Sequence, residues 1–142
     1  MTTPAPFIPM LTEISALKGK LLHVPDALLK ARLALAEAQD RERDAGAAVA
    51  EAKAEVEYAV INAVDPTTGK SLHANEAARK AALAKALGED AAYRAALKEA
   101  GLAQSERTQT ALDVQRLEDE QRALRAVSDL VCQEVALLIA GR

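Results

Sequence analysis

The chain has 142 residues, of which 50% are hydrophobic but only 2% aromatic, and its net charge is −3 at pH 7. Alanine fills 33 positions, whereas the aromatics are Phe7, Tyr58 and Tyr93 alone. That stock suits long helices and excludes a globule whose centre is filled by large side chains. The charge gives no global pull towards nucleic acid or anionic membrane, so such binding needs a local basic patch.

The length is that of one domain. No secretory signal and no run of 18 apolar residues is visible, so residence in the cytoplasm and no membrane partner are expected. The single Cys132 excludes an intrachain disulfide. Its apolar surroundings predict a buried, inert thiol.

Residues 1–9 hold three of the five prolines and read as an extended arm. From Met10 to Leu22 the pattern turns helical, with Leu11, Ile14, Leu17 and Leu21 on one face, Thr12 as its cap, and Lys18 and Lys20 in its last turn. A short break is expected at His23-Val24. Pro25 then suits the first position of a new helix and Asp26 its first turn.

The following stretch carries the clearest pattern in the sequence. Leu28, Leu35, Glu42, Val49, Val56 and Ala63 recur every seven residues, and Ala31, Ala38, Ala45, Ala52 and Ala59 follow three places after the first five. Alternating steps of three and four make one apolar stripe, the seam of a coiled coil, and its alanine column admits a close partner. Glu42 puts one charge on that seam, the kind of residue that fixes register.

The helix should end near Val64, because Asp65-Pro66-Thr67-Thr68-Gly69-Lys70 is a turn. Pro66 presets φ at the second position and Gly69 supplies a left-handed residue. Val60-Ile61 and Ser71-Leu72 are expected to pair as a very short hairpin. Asn75 caps a helix that should stop at Gly88, and Asp90 caps the last one, to about Ala140. That helix has its own seam: Tyr93, Ala96, Ala100, Ala103, Arg107, Thr110, Val114, Leu117, Gln121, Leu124, Ser128, Val131, Val135 and Leu138.

Two long heptad helices joined by a short tip predict an all-α fold, an elongated antiparallel helical hairpin with an N-terminal helix, the arm (1–9) standing apart from a single helical domain (10–142). Pairing of Glu42 with Arg107 would set the register and leave the late half of the last helix protruding. Leu124–Leu138 would then cover the N-terminal helix or another copy of the chain. Val131, Val135 and Leu138 are therefore the candidate partner-binding residues, and a homo-oligomer is expected. Tyr58 and Tyr93 are expected to seal the tip end of the hairpin.

No Ser/His/Asp, Cys/His or His-Glu-x-x-His arrangement is present, so neither catalysis nor a metal or other cofactor is expected. The remaining cluster is basic: Lys70, His73, Arg79, Lys80 and Lys85, with four Lys/Arg against two acids between Asp65 and Leu87. Such a tip would hold phosphates, which makes these five the candidate nucleic-acid-binding residues. The plain alternative is that the charges solvate a surface loop and helix. No aromatic lies within the tip to stack on bases.

The stretch from Asp65 to Tyr93, DPTTGKSLHANEAARKAALAKALGEDAAY, resembles a segment that recurs in small helical phage and prophage proteins. There a Gly-Lys turn precedes an Asn-Glu-x-x-Arg helix start, then Leu, then Asp followed closely by Tyr. The matching residues here are Gly69, Lys70, Asn75, Glu76, Arg79, Leu87, Asp90 and Tyr93, in about a fifth of the chain. The resemblance implies a context, the replication and recombination modules of phage, and hence an accessory protein that touches nucleic acid or its machinery through the tip. The alternative is a coiled-coil interaction protein unrelated to DNA, an assembly scaffold or an inhibitor of another protein.

Overall fold

The computed structural model describes residues 7–141. They form three helices, α1 (Phe7–Ile61), α2 (Glu76–Glu89) and α3 (Ala91–Ala140), and a single isolated β-bridge. The fold is all-α, with α1 and α3 packed against each other as a helical hairpin.

The separate N-terminal helix is not there. α1 runs unbroken for 55 residues with Pro25 inside it. Proline in a helix interior removes a hydrogen bond and crowds the preceding turn, at a cost of about 3 kcal/mol. The residues on either side offset this. Val24 is 5% exposed and Leu28 4%, and fully burying such side chains stabilises by about 1.5–3 kcal/mol each. The heptad register also passes through Pro25 without a slip: Ile14, Leu17, Leu21 and Val24 lead in steps of three and four to Leu28 and Ala31. Thr12 is therefore no cap, Lys18 and Lys20 end no helix, and His23 is an exposed helical residue.

The expected arm also overlaps α1. Phe7 to Pro9 form its first turn, where a backbone N–H has no intrahelical partner and proline forfeits nothing. The rest of the arm lies outside the described residues.

The chain forms two compact units, each built from a stretch of α1 and a stretch of α3. One comprises the described residues up to Ala36 with those from Gln109 onward; the other is Glu37–Thr108.

In the Glu37–Thr108 unit the helices run antiparallel. Glu42 meets Arg107 (Nε to Oε2, 2.9 Å), whereas Val56 and Val60 share a groove with Asp90. Arg41 supports this register by reaching Glu106 with Nη2 at 2.6 Å and Nε at 3.2 Å. Ala45, Val49, Ala52 and Val56 are half-buried along α1, and Tyr93, Ala96 and Ala100 along α3, while Ala38 and Ala103 are buried. At the tip end Ala59 is exposed and Val60 is buried in its place, a shift of one residue where α2 begins to contribute Ala86 to the same groove. Tyr58, two residues past Val56, faces away from the seam at 72% exposure and seals nothing.

In the other unit Arg32 reaches Glu118 at 3.0 Å, and residues from Ile14 to Leu21 share a groove with Ser128, Val131 and Val135. The late half of α3 therefore does not protrude; it runs antiparallel along the first half of α1. Its seam positions from Val114 to Val135 are buried or half-buried, and only Leu138 is exposed. Cys132 is exposed rather than buried, because it stands one residue, about 100°, beyond the seam position Val131. No described helix is long and apolar enough to cross a membrane.

Candidate functional site

The tip is a tightly wound turn followed by α2. Asn62 Nδ2 donates to the Tyr58 carbonyl at 2.8 Å and closes the end of α1. The Asp65 carboxylate accepts the Thr67 N–H at 2.8 Å, and the Gly69 N–H returns to the Asp65 carbonyl at 2.8 Å. Gly69 has φ 67°, the left-handed value its place in the turn demands. The hydrogen bond from the Thr67 backbone, helped by further hydrogen bonds from Thr67 and Thr68, holds the Asp65 carboxyl below its ordinary pKa against the opposing effect of desolvation.

The expected hairpin exists only in part, and in a different register. Val64 bridges Ser71, with Asp65 N–H donating to the Lys70 carbonyl at 2.8 Å and Leu72 N–H to that of Ala63 at 3.0 Å. Val60 and Ile61 stay helical because Val60 closes the seam. Asn75 caps α2 as expected, its side chain accepting the Ala78 N–H at 2.7 Å. Gly88, however, lies inside α2, which ends at Glu89. Asp90 makes the junction with extended backbone, donating to Ala86 while its carbonyl accepts from Arg94, so no left-handed residue is needed.

The five basic residues of the tip do not converge. Arg79 Nε donates to the His73 carbonyl at 3.0 Å, which ties the loop to α2, and His73 is half-buried. Lys80 pairs with Glu76 at 2.9 Å. Lys70 and Lys85 are exposed and pair with no carboxylate among the described residues. At about 100° per residue, Arg79, Lys80 and Lys85 point in three different directions around α2.

The more developed concavity lies in the unit of the chain ends. A groove of about 500 Å³ runs between α1 and α3 there, lined by Ile14, Leu21 and Leu22 on one side and by Val131, Cys132 and Val135 on the other. Among the described residues its polar lining is Lys18 and Ser128. Ser128 contributes to the space: it stands on the α3 seam where neighbouring positions carry Leu124, Val131 and Val135, and its short side chain fills less of the seam beside Leu21 than they would. A second groove, of about 360 Å³, opens on the other side of the same helix pair and shares Leu17 and Val131. Val131 and Val135 thus line a groove, whereas Leu138 is exposed and lines none of them. Ile14, Leu17, Leu21, Leu22 and Cys132 were not recognised as binding residues from sequence. The available signal was the pairing of seam residues with apolar neighbours, Leu21 with Leu22 and Val131 with Cys132.

No group of three or more His, Cys, Asp or Glu among the described residues is placed to hold a metal ion. No family model, curated protein or solved structure matches the chain.

Proposed function

We propose that this chain is a helical interaction protein, acting by binding rather than by catalysis, and that the groove between the first half of α1 and the second half of α3 receives an amphipathic helix of a protein partner. The observation that carries this reading is the groove's make-up: about 500 Å³ of open, almost wholly apolar space with Lys18 at its border. Helix-in-groove recognition needs an apolar trough for anchors spaced three and four apart, with charge at the rim to orient the incoming helix. The likeness of Asp65–Tyr93 to phage proteins favours a component of DNA replication or recombination machinery as that partner.

Cys132, the single cysteine, supplies the test, since it is exposed on the groove wall. A photoreactive maleimide placed there should crosslink a discrete protein in an extract of cells that make this chain. Val135→Glu should abolish the adduct while helicity is retained. No protein adduct, or one indifferent to Val135→Glu, would end this reading.

A second reading, direct contact with nucleic acid through the tip, rests on Lys70 and Lys85, the two tip lysines without an ion pair among the described residues. It predicts retention of DNA at low salt that is lost in a Lys70→Ala/Lys85→Ala variant. Arg79 is left out of that test because its loss would loosen the loop.

A further inference from the structure

α1 carries a second stripe that the hairpin leaves uncovered. Leu11, Ser15, Lys18, Leu22, Asp26, Leu29 and Leu33 follow one another in steps of three and four. At about 100° per residue all lie within about 40° of Leu22 on the helix surface. The seam residues Ile14 to Ala31 centre more than 100° away from it. The four leucines are 56%, 68%, 59% and 58% exposed in chain order, and Ser15, Lys18 and Asp26 are exposed as well.

The stripe is symmetric about Leu22. Leu11 and Leu33 stand eleven residues to either side of it, Ser15 and Leu29 seven, Lys18 and Asp26 four. We propose that a second copy of this chain docks here, antiparallel, with a twofold axis at Leu22. In that arrangement Leu22 meets its own copy, Leu11 meets Leu33, Ser15 meets Leu29, and Lys18 of each copy faces Asp26 of the other. Such self-complementarity is what a twofold interface requires, because each residue must find its counterpart's partner in both copies. A parallel arrangement in register would bring Lys18 onto Lys18 and Asp26 onto Asp26, so the charges select the antiparallel one.

The area is sufficient. With each leucine exposing roughly 100 Å², the two stripes together offer roughly 800 Å² of apolar surface. The aliphatic stems of Lys18 bring this, fully buried, to about 1,000 Å², the lower bound for a specific interface. Neither Lys18 nor Asp26 has an ion pair among the described residues that would compete. The surface is separable from the proposed partner groove. Lys18 and Leu22 border both, but Leu29 and Leu33 line only the stripe and Val131 and Val135 only the groove.

Sedimentation equilibrium at micromolar concentration tests this. The wild-type chain should be dimeric. Lys18→Asp alone and Asp26→Lys alone should each weaken association about tenfold, since each sets like charges opposite one another in both halves of the interface. An equimolar mixture of these two variants should recover wild-type affinity as a one-to-one heterodimer, in which both facing pairs are again opposite in charge. Leu29→Glu should also dissociate the dimer, and Val135→Glu should leave it intact. A monomeric wild type would overturn the proposal. So would single charge variants that associate like the wild type, a mixture no tighter than its components, or a dimer lost on Val135→Glu but not on Leu29→Glu.

Discussion

Arg107 donates from Nε to Glu42 at 2.9 Å, so the one acidic residue on the seam of α1 is answered by the one basic residue on the seam of α3. Both side chains are about one-third exposed. Each would be left with a half-buried, unanswered charge if its partner were removed. Glu42→Ala or Arg107→Ala should therefore destabilise the fold by about 1–3 kcal/mol in denaturant unfolding. Replacing both with leucine should cost little or stabilise, and a double-mutant cycle should return a coupling above about 0.5 kcal/mol.

The alanine column predicts an opposite kind of sensitivity. Ala45 and Ala52 are half-buried on the seam, where added methylenes meet the facing helix. Ala45→Leu or Ala52→Leu should lower stability by about 1–3 kcal/mol through overpacking. Unchanged thermal stability would place these alanines in solvent and undo the pairing of α1 with α3 in this unit.

Pro25 stands inside a helix that packing has imposed on it. Pro25→Ala restores a backbone donor and relieves the clash with the preceding turn. It should stabilise the chain by about 1–2 kcal/mol once the greater freedom of the unfolded chain is subtracted. A loss of stability would mean that the helix is interrupted there after all.

These positions show how far the sequence could be read. Both seams were legible because their alternation of three and four is strict, and the Glu42–Arg107 pair followed from it. At Pro25 two signals in the sequence conflict, because proline favours the start of a new helix while the register runs through it. Yet Ile14, Leu17, Leu21 and Val24 already stood in phase with Leu28, and only one continuous helix keeps them so. The tip was legible where a residue acts locally, as Asn75 and Gly69 do. It is not legible at Val60, where packing keeps the residue helical, nor at Gly88, where the extended backbone of Asp90 makes the junction. The groove was not legible, because it is a space opposite Ser128, and a space between helices has no motif.

The Asp65 turn carries a pH dependence. Hydrogen bonding from Thr67 lowers the carboxyl pKa in the folded chain. Its contribution is therefore present above the ordinary carboxylate range and is lost as pH falls through the lowered value. Amide exchange at Thr67 and Gly69 should accelerate on acidification beyond the intrinsic trend. Asp65→Ala should remove that extra dependence while leaving exchange along the middle of α1 unaltered.

The functional reading stands on the first half of α1 lying beside the second half of α3, since that pairing builds the groove. A spin-label distance measurement between Leu22→Cys and the native Cys132, in labelled chain diluted with unlabelled wild type, tests it most directly. Both residues line the groove, and packed helices lie about 8–10 Å apart. The account predicts a single short distance of roughly 10–25 Å once the labels' own reach is added to that spacing. A broad or much longer distribution would contradict it, because the two helix halves would then be apart and there would be no groove for a partner to enter.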